Sequence, residues 1–349
     1  MTSSIQKNDG LLNLVMAQLK RYMPVIAVIA VFAAVLVILW SIFGVRYRTV
    51  RLKQARTFIE MTAKTDKASF EKLILSVTNE IRRLNAVVNV YDPKSELSEL
   101  NHRILNGGRR IQLSDEMARL LSEGLFYAKE TGGKYDITIR PVMMLWGFGT
   151  DKKRVPSPYE IQNTLRSVGS RMVRLQGKTL LVARPVMFDL GSYGKGYALS
   201  IFASHAARLK IHHYLINFGG NIIARGRNPR GRYWTVGIQN PRTDGVYVTV
   251  SLSNETISTS GDYENCFFVG NDRYHHIMDA ATGYPSRAAI AATIIGNDAT
   301  AVDALSTIAV IEGTNFFARD FNYRSAWIFT ETSNAVTVYT RTNLIRRRD

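Results

Sequence analysis

Along this chain apolar residues first crowd together, then recur every third or fourth position, then alternate, and each rhythm predicts a different element. From Pro24 to Val45 the run PVIAVIAVFAAVLVILWSIFGV holds no charged side chain. As a helix it spans about 30 Å, enough for one bilayer crossing. The run is too long for a signal peptide and no A-x-A-type cleavage site follows it. The expectation is a short tail over 1–23, an uncleaved transmembrane anchor over 24–45, and a basic, polar linker over 46–68.

Beyond that the period becomes helical. Phe70, Leu73, Ile74, Val77, Ile81 and Leu84 fall on one face. A second helix is expected from about Asp115 to Glu130, stopping at Gly132-Gly133. The pattern then alternates in short β-like runs: MVRL, TLLVA, MFDL, YLINF, WTVGIQ, VYVTVSL, FFVG, AAIAATII, AWIFTE and AVTVYT, parted by turns rich in Gly and Asn. Further helices are expected at about 196–209, 299–312 and 314–320. These elements predict a single α+β domain over 69–345.

Composition sharpens this only in part. Of 349 residues 46% are hydrophobic and 21% charged, which supports a sizeable core and excludes wholesale disorder. The formal net charge of +17 attracts anions: phosphate-bearing ligands or acidic lipid. Nucleic acid is disfavoured, since there is no zinc-finger spacing, homeodomain-like block or aromatic-basic RNP pattern. The single cysteine, Cys266, excludes an internal disulfide and any cysteine-based metal cluster. Arg46, Arg48, Arg51, Lys53 and Arg56 follow the apolar span, against Lys7, Lys20 and Arg21 before it. Charge bias alone would therefore leave the large domain in the cytoplasm, although large domains translocate largely regardless of charge.

Three segments carry candidate chemistry. In FDLGSYGKGYALS (188–200) a Gly-rich turn leads into a helix, aiming backbone N–H groups and Lys195 at an anion. It is not a Walker A loop, because Gly196 stands where Ser or Thr would bind magnesium, and glycine could serve the turn on steric grounds alone. In DATAVDALSTIAVIEG (298–313) Asp298 reads as an N-cap and Gly313 as a stop, while Asp303 and Thr307, at i and i+4, put oxygens on one face of a buried helix. Such oxygens suit magnesium; a core Asp satisfied by backbone or Arg is the other reading. In YHHIMDAATGYPS (274–286) His275 and His276 point to opposite faces of a strand, one toward a cleft and one toward solvent. GGKYDITIRPVMMLWGFG, NFGGNI and STSGDY add Gly-polar corners of the kind that build ligand sites.

In order along the chain, YDPKSELSELN (91–101), GGKYDITIRPVMMLWGFG, DLGSYGKGYA, NFGGNI, STSGDY, HHIMDAATGYP and DALST resemble the FAD:protein FMN transferase family, the ApbE-like flavin transferases, over about residues 70–330. The resemblance implies Mg²⁺ held by Asp303, Thr307 and the Ser192 carbonyl. It further implies FAD contacts from Tyr91, Lys134, Tyr135, Asp136, Asp189, Lys195 and Ile277, with His276, ordinarily near pKa ~6.5, as general base. The implied reaction moves FMN from FAD to a Thr or Ser hydroxyl of an acceptor protein, a redox protein, and releases AMP. Implied too is work on the outer face of the cytoplasmic membrane. FAD pyrophosphatase activity, with water as acceptor, and a non-catalytic FAD-binding subunit of a membrane redox complex are the alternatives. Two departures bear on the site: Met61-Thr62-Ala63 stands where the family usually has Met-Gly-Thr, which predicts an altered flavin wall, and Asn221 stands where it usually has Asp, which removes a charge.

Overall fold

The computed structural model of the chain describes residues 21–39, 44–54, 57–332 and 335–342. The apolar run forms helix α1, Arg21–Leu39, long and apolar enough to cross a membrane. Its described part starts at Arg21, within three residues of the span expected over 24–45, whose last part falls on 40–43, outside the described residues, and on Gly44 and Val45, which are not helical.

The principal correction concerns 46–68. Instead of a linker, the structure has a long antiparallel hairpin, β1 (Arg46–Gln54) with β2 (Thr57–Thr65), in register from Arg46 opposite Thr65 to Gln54 opposite Thr57. On β2, Ile59, Met61 and Ala63 alternate with less buried neighbours and are wholly buried, the pattern of a strand with one face on a core. The basic side chains that make this stretch look like a linker sit largely on the edge strand, where one side needs no partner.

The hairpin opens an antiparallel sheet completed by β3 (Tyr214–Phe218), β4 (Asn221–Arg225), β5 (Glu255–Gly261), β6 (Ala291–Gly296), β7 (Ser325–Thr332) and β8 (Ala335–Thr342). The strands lie side by side in chain order. Between β3 and β4 only Gly219 and Gly220 intervene, both at positive φ (56° and 93°), as a two-residue hairpin turn with the twist of its strands demands.

One face of the sheet carries helices. α2 (Lys67–Val88) buries Phe70, Leu73, Val77, Ile81 and Leu84, matching the helical period. α3 (Glu96–Leu105) and α4 (Asp115–Glu130) follow, each capped by a serine hydroxyl, from Ser95 and Ser114. α5 (Gly194–Arg208) and α6 (Ala299–Glu312) pack against each other and against the sheet. The opposite face is covered by the hairpin Trp234–Gln239 with Val246–Leu252, where Trp234, Ile238 and Leu252 meet Ile257, Ile295 and Phe329. A small sheet of Arg110–Gln112, Thr179–Val182 and Val173–Gln176 lies beside α4.

MFDL, read as a strand, is not one. Asn101 of α3 donates from Nδ2 to the Phe188 carbonyl (2.9 Å) and accepts the Phe188 N–H (2.7 Å), so one side chain supplies the pairing a neighbouring strand would give. That fixes the extended segment leading into the Gly-rich turn before α5.

Candidate active site

The turn after Phe188, the start of α5 and the middle of α6 meet beyond the helix-covered face of β5. Gly196 permits the approach. A Cβ there would overlap the Ala299 carbonyl and come within 2.6 Å of the Asp303 Cβ, so only glycine lets α5 lie against α6. The bare amide then donates to Asp303 Oδ2 (2.8 Å). Asp303 Oδ1 accepts from Asn221 Nδ2 (2.7 Å) and from Ser258 Oγ (3.0 Å). Burial pushes the Asp303 carboxyl above its ordinary range, opposed by the Lys195 charge and by the donors from Gly196, Asn221 and Ser258. Asn221 thus donates to the carboxylate where an Asp would have repelled it, so the lost charge is replaced by a hydrogen bond.

Asp303, held by these donors, borders a cleft of about 970 Å³, counting its open mouth. Asp303 and Thr307 come to its wall from α6, with Ser192 and Lys195 from the turn and first residues of α5. Tyr91, Tyr135, Asp136 and Asp189 arrive from loops, with His276 and Ile277 from the segment after the short strand Asp272–His275. Lys134 does not join them. It is absent from the cleft wall, and its contribution is a backbone carbonyl that accepts the Ala280 N–H (2.8 Å). Met61, expected to alter a flavin wall, is fully buried in the core against Ile216 of β3 and does not line the cleft.

Thr307 Oγ1 lies 3.5 Å from the Ser192 carbonyl and 3.2 Å from Ser260 Oγ. Among the described residues no group of three or more His, Cys, Asp or Glu side chains could hold a metal. A cation here would rest on one carboxylate, one hydroxyl and one carbonyl: hard oxygens, few in number, with room for a ligand's own oxygens. That set fits magnesium.

Two of the expected ligand contacts have committed side chains. Asp136 accepts from Thr138 N–H (2.9 Å) and Oγ1 (2.8 Å) through Oδ1 and from Ser170 N–H (2.7 Å) through Oδ2, which ties its loop to residue 170. Asp189 accepts from Gly191 N–H (2.9 Å) and pairs with Arg140 (3.5 Å). Arg140 in turn lies over the Tyr91 ring, 4.5 Å from its centre. Tyr135 shares a 2.7 Å hydrogen bond with Ser192 Oγ, and its phenol is pushed up by burial.

The two histidines divide differently from expectation. His275 does not meet solvent: it is buried, its Nε2 bonded to the Ser286 carbonyl (2.8 Å) and its Nδ1 accepting the Ile277 N–H (3.2 Å), both nitrogens serving the fold. His276 lines the cleft, and its Nδ1 is buried without a partner. Burial lowers its pKa to about 4, helped by His275 and Lys195, so the ring is neutral at pH 7 rather than half-titrated near 6.5.

Sequence reasoning missed Glu264 and Asn265, which line the cleft. The Glu264 carboxyl is raised by burial, with Lys195 opposing and Asp303 reinforcing the shift. It also missed the backing of Asp303 by Ser258. The signal lay in STSGDY, whose next two residues are Glu264 and Asn265.

With this geometry in place, comparison gives a consistent result. The sequence profile of the ApbE family matches residues 55–322. A protein of Haemophilus influenzae named FAD:protein FMN transferase is 32% identical over 251 residues, 69% of this chain and 72% of that protein. One of the same name from Klebsiella pneumoniae is 31% identical over 262 residues, 71% and 73% of the two chains. The crystal structure of an ApbE protein from Thermotoga maritima superposes with a TM-score of 0.75 at 28% identity, covering 84% of this chain and 96% of its own. The apo flavinyl transferase ApbE of Pseudomonas stutzeri shares the fold, with a TM-score of 0.76 at 24% identity, covering 85% and 95%.

Proposed function

Because the chain belongs to the ApbE family, we propose that it is an FAD:protein FMN transferase that moves FMN from FAD to a Thr or Ser hydroxyl of an acceptor protein. In this reading the acceptor oxygen attacks the flavin-side phosphorus of the FAD pyrophosphate. The new P–O bond joins FMN to the protein, the bond to the bridging oxygen breaks, and AMP leaves with that electron pair. The hydroxyl proton passes to a ring nitrogen of His276, which is neutral and so free to accept it.

Asp303, Thr307 and the Ser192 carbonyl would hold Mg²⁺, which when bound supplies charge neutralisation at the pyrophosphate. Lys195 adds a second positive charge at the same wall, one that already acts on Asp303 and Glu264. Tyr91, Tyr135 and Ile277 offer apolar and aromatic surface to the flavin nucleotide. Asp136 and Asp189, whose oxygens are occupied, serve it by fixing their loops. Lys134 would contribute through its backbone position only.

The observation that supports the reading most is the meeting of Asp303, Thr307, Ser192, Lys195 and His276 at one cleft from three distant stretches of chain. For location, α1 is assigned as a single-pass membrane anchor, with the catalytic domain on the outer face of the cytoplasmic membrane and a redox protein as acceptor.

The test is to incubate the full chain with FAD, Mg²⁺ and candidate acceptor proteins, then measure protein-bound flavin fluorescence and AMP. Covalent flavin that needs both Mg²⁺ and His276 is expected. Free FMN and AMP without flavinylated protein would mark a pyrophosphatase instead.

A further inference from the structure

The antiparallel sheet has two distinct ends. Arg46, Thr65, Tyr214 and Arg225 stand at one end of the sheet, while Asn221 and Gly261, beside the cleft, stand at the other. The first of these ends is where the chain arrives from α1. Leu39 and Arg46 are seven residues apart, which limits their separation to about 25 Å, so the Arg46 end is held close to whatever α1 is embedded in.

At that end lies the loop GRNPRGRY, 226–233, with Arg227, Arg230 and Arg232 all exposed and no acidic residue. It is a preformed structure rather than a loose arm. Tyr47 of β1 donates its hydroxyl to the carbonyls of Arg227 (2.7 Å) and Asn228 (3.0 Å), and its ring meets Trp234 edge-on at 6.3 Å. Asn228 Oδ1 accepts the N–H groups of Arg230 (2.9 Å) and Arg232 (3.1 Å), and His213 Nδ1 accepts that of Arg227 (2.8 Å). Two carboxylates at this end of the sheet are already engaged: Asp66 caps α2 by accepting the Ser69 N–H, and Glu255 pairs with Arg324 (2.5 Å). Tyr233, 48% exposed, lies under the Arg227 guanidinium at 4.8 Å, pairing an amphipathic ring with a cation as interfacial residues do. β1, to which the loop is fastened, lies outside the stretch matched by the family profile.

We infer that this Arg-rich loop, with Arg46, is a docking surface for anionic phospholipid headgroups, which holds the domain in a fixed attitude on the bilayer that α1 enters. The inference rests on the assignment of α1 as a membrane anchor. Each arginine close to an anionic surface is worth roughly a fivefold gain in occupancy.

The test uses the full chain in nanodiscs of phosphatidylcholine alone and of phosphatidylcholine with phosphatidylglycerol, followed by hydrogen exchange over 226–233. Exchange should slow roughly fivefold or more in the anionic discs only. The protection should vanish in about 0.5 M salt, and in the R227S/R230S/R232S variant with flavin transfer to a soluble acceptor unchanged. The salt arm needs no substitution and so stands even if the variant folds poorly. Insertion into both discs with equal exchange overturns the lipid surface alone. Failure to insert in either overturns the anchor and this proposal with it. Protection that appears only on adding an acceptor protein assigns the loop to a protein contact and overturns the lipid reading.

Discussion

His276 carries the sharpest expectation at the scale of single residues. Its replacement by Ala should lower kcat/KM for flavin transfer by about 10²–10⁴-fold, the usual worth of a positioned proton acceptor. A lowered pKa moves the acid limb of the free enzyme's kcat/KM profile toward pH 4, because the ring stays neutral until then. A limb centred at 6.5 in a pH–rate series would refute the burial argument. Asn221 offers a second test, read by melting temperature. Asn221→Asp puts a like charge 2.7 Å from Asp303 Oδ1 in place of a donor. It should destabilise the metal-free protein by about 1–3 kcal/mol, and Mg²⁺ should raise the melting temperature of the variant more than that of the parent. Equal Mg²⁺ responses would show that Asp303 does not face the cation.

Between elements the decisive contact is α5 on α6. Gly196→Ala forces a methyl against the Ala299 carbonyl and the Asp303 Cβ, and overpacking of this kind costs about 1–3 kcal/mol. Calorimetry should show a lower melting temperature together with weaker FAD binding, since the same shift withdraws the amide from Asp303. The junction of α4 with α6 holds a titratable strain. Glu123 is raised to about 7, by burial first and then by the charge of Asp298, the α6 N-cap. A carboxyl whose folded pKa exceeds its unfolded one contributes stability below the unfolded value and loses it as pH rises through the folded one. Glu123→Gln should therefore stabilise the protein at pH 8, by about 1–3 kcal/mol, and not at pH 4; denaturant melts at the two values decide it.

Much of this scale is legible in the sequence. The period of Phe70 to Leu84 and the cap at Asp298 survive intact, because local spacing and local hydrogen bonds determine them. The β1–β2 hairpin is not legible, since its edge strand is half exposed and rich in Arg. MFDL misleads because Asn101, 87 residues away, supplies its pairing. The site is legible as a set of residue types through resemblance, whereas the commitment of Asp136, the inward turn of His275 and the placing of Lys134 depend on contacts between distant segments.

For the whole molecule, order along the sheet has a consequence for what the enzyme can modify. The chain enters from α1 at the Arg46 end of the sheet, and Ser260 and Glu264 border the cleft at the other, a strand's length away. Glu255 and Gly261, the two ends of β5, are six steps of about 3.4 Å apart, or about 20 Å. With α1 in a bilayer, the reactive hydroxyl has to be offered at that altitude above the lipid, which makes the sheet a ruler for its clients. Acceptor segments tethered to a membrane helix through helical spacers of graded length should accept flavin poorly when the spacer is absent, and well once it exceeds about 14 residues at 1.5 Å each. Equal labelling at every length would remove the ruler. If the spacing holds, membrane-bound acceptors that carry their hydroxyl flush with the headgroups are out of reach, and those that raise it on a stalk or soluble domain are the natural clientele.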